Sequence, residues 1–178
     1  MKKRSGGKVS APVVLLTARK TSGGNTPKAA VRLGAPRKNK KQRTPFRSGT
    51  VPYLFDENGT LWILLVTPAG GGRWIFPKGN LEKHMTSRES AVKEAYEEAG
   101  VRGRCADFLL GVQRFAEKQF VEFYPLQISG ILENWEEAGR RSRLFFSVED
   151  ARKELKDPEA AAILDRLLEY LKEQENNG

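Results

Sequence analysis

From residue 48 onward the hydrophobic positions fall into short runs of two periodicities. Residues 51–55 and 61–67 are apolar and β-rich, and they flank Asp56-Glu57-Asn58-Gly59. That pattern predicts a hairpin. The loop at 68–72 is rich in glycine. Further strands are expected at 73–76, 108–115, 120–128 and 143–146. Between them, residues 87–99 read as a helix, with Thr86 and Glu89 as a capping box and Gly100 as its stop. Two more helices are expected at 148–155 and 158–172. In the second, Ala160, Ile163, Leu164, Leu167, Leu168 and Leu171 recur at helical spacing behind an Asp157-Pro158 start. The leucines read as a core-facing stripe. Strands and helices mix without a regular βαβ rhythm, so the pattern predicts an α+β fold, an α/β/α sandwich in preference to a doubly wound sheet.

The first 47 positions behave differently. Only residues 13–16 are strongly apolar, too little to offset the entropy of ordering the chain. This stretch holds 14 Lys/Arg and no Asp or Glu, whereas the remainder carries a net −5. The overall charge of +9 is therefore the sum of a basic tail and a mildly acidic domain. We expect 1–47 to be a disordered extension and 48–178 a single folded domain. Three readings of the tail stay open: an arm for nucleic acid or another polyanion, a targeting peptide built on the apolar stretch at 11–18, or a solubilising extension. With 178 residues the chain can bury one core. No apolar run approaches the roughly 18 residues of a membrane helix, and the expected location is cytoplasmic. One cysteine, Cys105, and one histidine, His84, exclude a disulfide framework, a multi-Cys zinc site and any His-pair mechanism. Neither residue is expected to be catalytic.

The chemistry concentrates between Gly79 and Val101. At about 100° per residue, Glu97 and Glu98 fall some 60° and 40° to either side of Glu94. Three carboxylates thus share one helix face, with Ala91, Val92, Ala95 and Ala99 on the other. Like charges at this spacing repel. A divalent cation would convert the repulsion into coordination, because Mg²⁺ and Mn²⁺ favour oxygen ligands. The plainer reading is a solvated acidic face, which would normally carry interleaved lysines; Lys93 is expected to lie off this face. Ahead of the helix, Trp74-Ile75-Phe76-Pro77-Lys78-Gly79 runs a strand into a turn where glycine permits close backbone approach and offers its carbonyl.

This segment resembles the Nudix box, G-x5-E-x7-R-E-U-x-E-E-x-G-U, where U is aliphatic. Gly79, Glu94, Glu97, Glu98, Gly100 and Val101 match at the right spacing, and Ala95 stands at the first U. Two positions depart: the first glutamate is Met85 and the arginine is Lys93. In the family those two usually form a salt bridge that shapes the loop onto the helix. The resemblance implies an α/β/α sandwich on a mixed sheet and hydrolysis of a pyrophosphate bond by water attack on phosphorus, with Mg²⁺ or Mn²⁺. It implies metal contacts at Glu94, Glu97, Glu98 and the Gly79 carbonyl. Residues 74–79 and 135–146 are also similar to the diphosphoinositol polyphosphate phosphohydrolase branch. That similarity implies a polyphosphorylated small-molecule substrate, with Lys78, Arg140, Arg141 and Arg143 as phosphate contacts. Glu94 would add a ligand or orient the nucleophile, and candidates for a general base outside the box are Glu82, Glu117, Glu122 and Glu136. The competing readings are a Nudix-fold binding module whose tail grips nucleic acid, and an ADP-ribose or nucleotide-sugar pyrophosphatase. Loss of Glu97 or Glu98 would mark the module; both are present.

Overall fold

The computed structural model describes residues 47–117 and 119–177. The expected disordered extension lies outside them, except for Arg47, which opens the first strand. Seven strands and three helices follow in chain order. They are β1 Arg47–Phe55, β2 Leu61–Val66, β3 Lys78–Asn80, α1 Ser87–Ala99 and β4 Val101–Cys105. Next come β5 Gly111–Ala116, β6 Gln119–Ile131, β7 Arg143–Ser147, α2 Val148–Glu154 and α3 Pro158–Asn176. The strands form one mixed sheet in the order β4-β6-β1-β2-β7, with β3 added to β1 and β5 to β6. β1 pairs with β6 in parallel; the β1–β2, β1–β3, β2–β7, β4–β6 and β5–β6 pairs are antiparallel.

Side-chain alternation sorts the strands between two layers. Odd-numbered Val51, Tyr53, Ile63, Leu65, Val121 and Phe123 join α2 and α3 through Ala151, Leu155, Ile163, Leu164 and Leu167. Even-numbered Leu54, Leu64, Val66, Leu126 and Ile128 meet α1 through Ala95 and Ala99. The sheet is therefore the middle of an α/β/α sandwich.

Helix α1 has the ends its sequence predicts. The Thr86 side chain accepts from the Glu89 N–H, and the Glu89 carboxylate accepts from the Thr86 N–H. Gly100 closes the helix in the left-handed region at φ 61°. Asp157 caps α3 and Pro158 fills its first turn.

Four expectations need correction. Residues 73–76 make no strand, only an Ile75–Val66 bridge; the strand is β3, which begins after Pro77. Pro77 has no N–H to donate, and its carbonyl accepts from the Thr50 N–H instead. The strand expected from 108 starts at Gly111. β4, which carries Arg102, Gly103 and Arg104, was not expected at all. Lys93 does not lie off the acidic face, as described below.

Candidate active site

α1 lies across one end of β1 and β3, and its three buried alanines, Ala91, Ala95 and Ala99, let it sit close to the sheet. That closeness brings Glu94 onto Gly79: a Cβ added there would overlap the Glu94 carboxylate. Glycine is therefore required sterically, apart from any role for its carbonyl.

The three carboxylates have different surroundings. Glu98 is only 5% exposed. One oxygen accepts from the Lys78 N–H at 3.0 Å, and the other meets the Arg141 guanidinium at 2.5 Å. Glu97 holds Lys93 at 2.7 Å across one helical turn. Glu94 has no ion pair among the described residues. Burial pushes it up to about 7, and the charges of Glu98 and Glu97 add to the rise. Burial also raises Glu98, against the Lys78 N–H and Arg141. Lys78 itself is pushed down to about 8 by burial, although Glu98 favours its charged form.

Lys93 answers the question raised by Met85. Its ammonium also reaches Glu82 on the loop at 3.2 Å, so an ion pair still ties loop to helix, from a different loop position. Met85 is exposed. Lysine reaches both carboxylates because its four-carbon stem turns freely.

Arg140 and Arg141 of the β6–β7 loop and Arg143, which opens β7, take three different roles. Arg140 is exposed and pairs with Glu137 at 3.1 Å. Arg141 is nearly buried and contacts Glu98, Glu137 and, at 3.0 Å, the Thr67 carbonyl. Arg143 donates to the carbonyls of Ala99 at 2.7 Å, Gly100 at 3.2 Å and Leu132 at 2.5 Å, and lies 4.0 Å over the Trp135 ring. Trp135 in turn donates to the Glu98 carbonyl at 3.1 Å. The last turn of α1 has no basic residue of its own; Arg143 supplies the positive charge that a helix C-terminus favours.

Among the base candidates, Glu82 is engaged by Lys93, Glu122 accepts from the Tyr124 hydroxyl at 2.9 Å, and Glu117 and Glu136 are exposed. The carboxylate turned inward is the neighbouring Glu137, absent from those candidates. It raises Glu94 and Glu98 electrostatically. His84 is exposed with φ 67°. Cys105 is half-buried and its thiol is pushed up to about 11 by burial.

A second feature was also missed. Beside Lys78, on the α2–α3 side, a cleft of about 280 Å³ is lined by Arg73, Arg114 and Lys156, with Trp74 and Phe115 as apolar wall and Asp157, whose carboxylate accepts from the Gln113 amide, as its acid. The guanidinium groups of Arg73 and Arg114 have no carboxylate partner among the described residues, although the Arg114 backbone N–H donates to the Glu159 carboxylate at 2.5 Å. Their sequence positions are far apart, and no spacing rule joins them.

The oxygen-only donor set suits a hard cation such as Mg²⁺ or Mn²⁺. Glu94, pressed on Gly79 without a counter-charge, is the group a cation would relieve most. Among the described residues no three acidic, His or Cys side chains converge as a preformed cage, because Glu97 and Glu98 are each turned to an internal cation. The residues fit a metal in kind and position, with Lys93 and Arg141 standing where it would compete.

Comparison with known proteins agrees with this geometry. A family model for the NUDIX domain matches residues 45–167. The chain belongs to the Nudix family and is a Nudix hydrolase. It is 30% identical over 130 residues to Nudix hydrolase 16, mitochondrial, of Arabidopsis thaliana, covering 62% of this chain and 72% of that one. It is 41% identical over 101 residues to human diphosphoinositol polyphosphate phosphohydrolase 3-beta, covering 53% and 61%; the match thus spans less than two thirds of that relative. In fold it is similar to a Caenorhabditis elegans Ap4A hydrolase in a binary complex, with TM-score 0.59 and 20% identity over 71% of this chain and 96% of that one. None of the described helices is long and apolar enough to cross a membrane.

Proposed function

We propose that the chain hydrolyses a pyrophosphate bond in a polyphosphorylated small molecule, a dinucleoside polyphosphate or a diphosphoinositol polyphosphate, in a reaction dependent on Mg²⁺ or Mn²⁺. The observation that carries this reading is the contiguity of two charged regions. Glu94 crowds Gly79 and Glu98 accepts from the Lys78 N–H, while the cleft of Arg73, Arg114 and Lys156 has Lys78 in its own lining. Glu94, Glu97, Glu98 and the Gly79 carbonyl would hold the cation. When bound, it would polarise the phosphoryl group and acidify a water. Lys78 and the cleft cations bind the phosphates beyond the scissile bond by charge-assisted hydrogen bonds. Glu94 takes the proton of the attacking water or orients it. Trp74 and Phe115 shield one wall of the cleft from solvent.

The names of the human and worm relatives support a polyphosphate over ADP-ribose. The position of the arginines sharpens which residues read it. Arg143 is committed to the α1 carbonyls, so Arg73, Arg114 and Lys156 are the better substrate contacts.

The test is kcat/KM with Mg²⁺ or Mn²⁺ for diadenosine hexaphosphate against ADP-ribose. The reading expects a clear preference for the longer chain, eroded by Arg73→Ala, Arg114→Ala or Lys156→Ala through KM. A preference for ADP-ribose that ignores those changes would leave only a generic Nudix hydrolase.

A further inference from the structure

Arg141 has three acceptors, and they differ in kind. Its guanidinium contacts Glu137, the Thr67 carbonyl and Glu98. The Glu137 backbone is itself tied to α1, its N–H donating to the Glu97 carbonyl at 3.3 Å. At the far end, the Ser142 N–H donates to the Thr67 hydroxyl at 2.9 Å and the Thr67 N–H to the Ser142 carbonyl at 2.9 Å. Arg141 is thus fixed through Nε and Nη1 by groups outside the α1 carboxylates. Only Nη2 is spent on Glu98. That contact takes the Glu98 oxygen left over by the Lys78 N–H, which is the oxygen a metal would need.

We propose that Arg141 is a resident counter-cation: it neutralises Glu98 while the metal is absent, and turns Nη2 to a substrate phosphate oxygen once metal takes that carboxylate. This rests on the metal-dependent reading above. Because Glu137 and Thr67 keep the guanidinium in place, the exchange requires no travel of the loop, only a change of partner at one nitrogen. The two occupancies are then linked: metal frees a phosphate donor, and phosphate draws that donor away from the metal's ligand. Linkage of this kind is reciprocal.

The role predicts opposite signs for one substitution. Arg141→Gln removes the internal competitor, so Mn²⁺ binding without substrate tightens, by about threefold or more, measured from free Mn²⁺ by electron paramagnetic resonance. The same variant binds methylenediphosphonate about tenfold more weakly in the presence of Ca²⁺, from loss of one charge-assisted contact. Without metal, its affinity for that probe matches the parent. An arginine that merely braces the loop would weaken both metal and probe, and that result overturns the proposal, as does unchanged Mn²⁺ affinity. Should Arg141→Gln fail to melt cooperatively, Arg141→Lys takes its place: it keeps the charge but cannot span Glu98, Glu137 and Thr67, and the same opposed shifts are expected. Absence of Mn²⁺ binding in the parent protein would instead sink the metal-dependent reading itself.

Discussion

The two faces of the sheet are built from different materials. On the α3 face, Ile163, Leu164 and Leu167 pack on Val51, Tyr53, Ile63, Leu65, Phe76 and Phe123, large side chains that are all buried. On the α1 face, the helix contributes alanines, and the buried groups include Glu98, Ser90 and, by strand alternation, Ser48 and Thr50. The hydroxyls of Ser48 and Thr50 have no hydrogen-bond partner among the described residues, a cost that an apolar pair would avoid. The sheet brings apolar bulk to both faces, with Leu54, Leu64, Val66, Leu126 and Ile128 on the α1 side. It is α1 itself that gives up bulk, and its alanines let a row of carboxylates approach a backbone turn.

If this division is real, stability and turnover separate by face. The largest effect belongs to Leu164→Ala, which opens a cavity in the α3 layer and should cost about 2–5 kcal/mol in a denaturant melt. Activity per folded molecule should survive it; a proportionate loss in kcat would show that the layers are not independent.

Glu98→Gln should do the reverse. We expect kcat/KM to fall by about 100-fold or more, equivalent to about 2.7 kcal/mol of transition-state stabilisation, at an unchanged fold by circular dichroism. Glu97→Gln should behave alike. Near-parental turnover of either at limiting Mg²⁺ removes them from the metal site.

Arg143→Ala tests the border between the faces. It leaves the Ala99 and Leu132 carbonyls without a donor and should destabilise by about 1–3 kcal/mol. KM for the longest phosphate chain should not change. A rise in KM with no loss of stability would return Arg143 to the substrate.

The smallest effect is expected at the loop. Glu82→Gln breaks the Glu82–Lys93 pair, whose side chains are 46% and 35% exposed. Pairs this exposed contribute about 0–1 kcal/mol, so the melting midpoint should barely move.

How far the sequence anticipates these features depends on how local they are. α1, its capping box and its glycine stop are encoded within 15 consecutive positions, 86–100, and appear in the structure with the same bounds. The β1–β2 hairpin and the start of α3 are equally local. The parallel β1–β6 pairing joins Arg47 to Val121, and no short-range pattern reports it. β3 and β4 are too short and too rich in Gly, Lys and Arg to read as strands; neighbouring backbone recruits them. Charges were visible and their partners were not. Lys93 looked remote from the acidic face because a helical wheel places Cα positions, whereas its ammonium swings to reach Glu97 and Glu82. Arg143 reads as a cation for phosphate because three arginines in nine residues suggest one purpose, yet Arg140 and Arg141 share Glu137 while Arg143 meets the Ala99, Gly100 and Leu132 carbonyls. Arg73 in the β2–β3 loop, Arg114 on β5 and Lys156 in the α2–α3 turn converge only in the folded chain.

The Glu82–Lys93 bridge bears on how the family's signature is read. A pattern of letters asks for an acid at the place of Met85 and finds a thioether. What the turn requires is an anion within the sweep of one flexible ammonium, and Glu82 satisfies that from three positions earlier. Signature matching scores addresses, whereas the loop is held by reach. A chain with two mismatched letters can therefore keep the tether that those letters stand for.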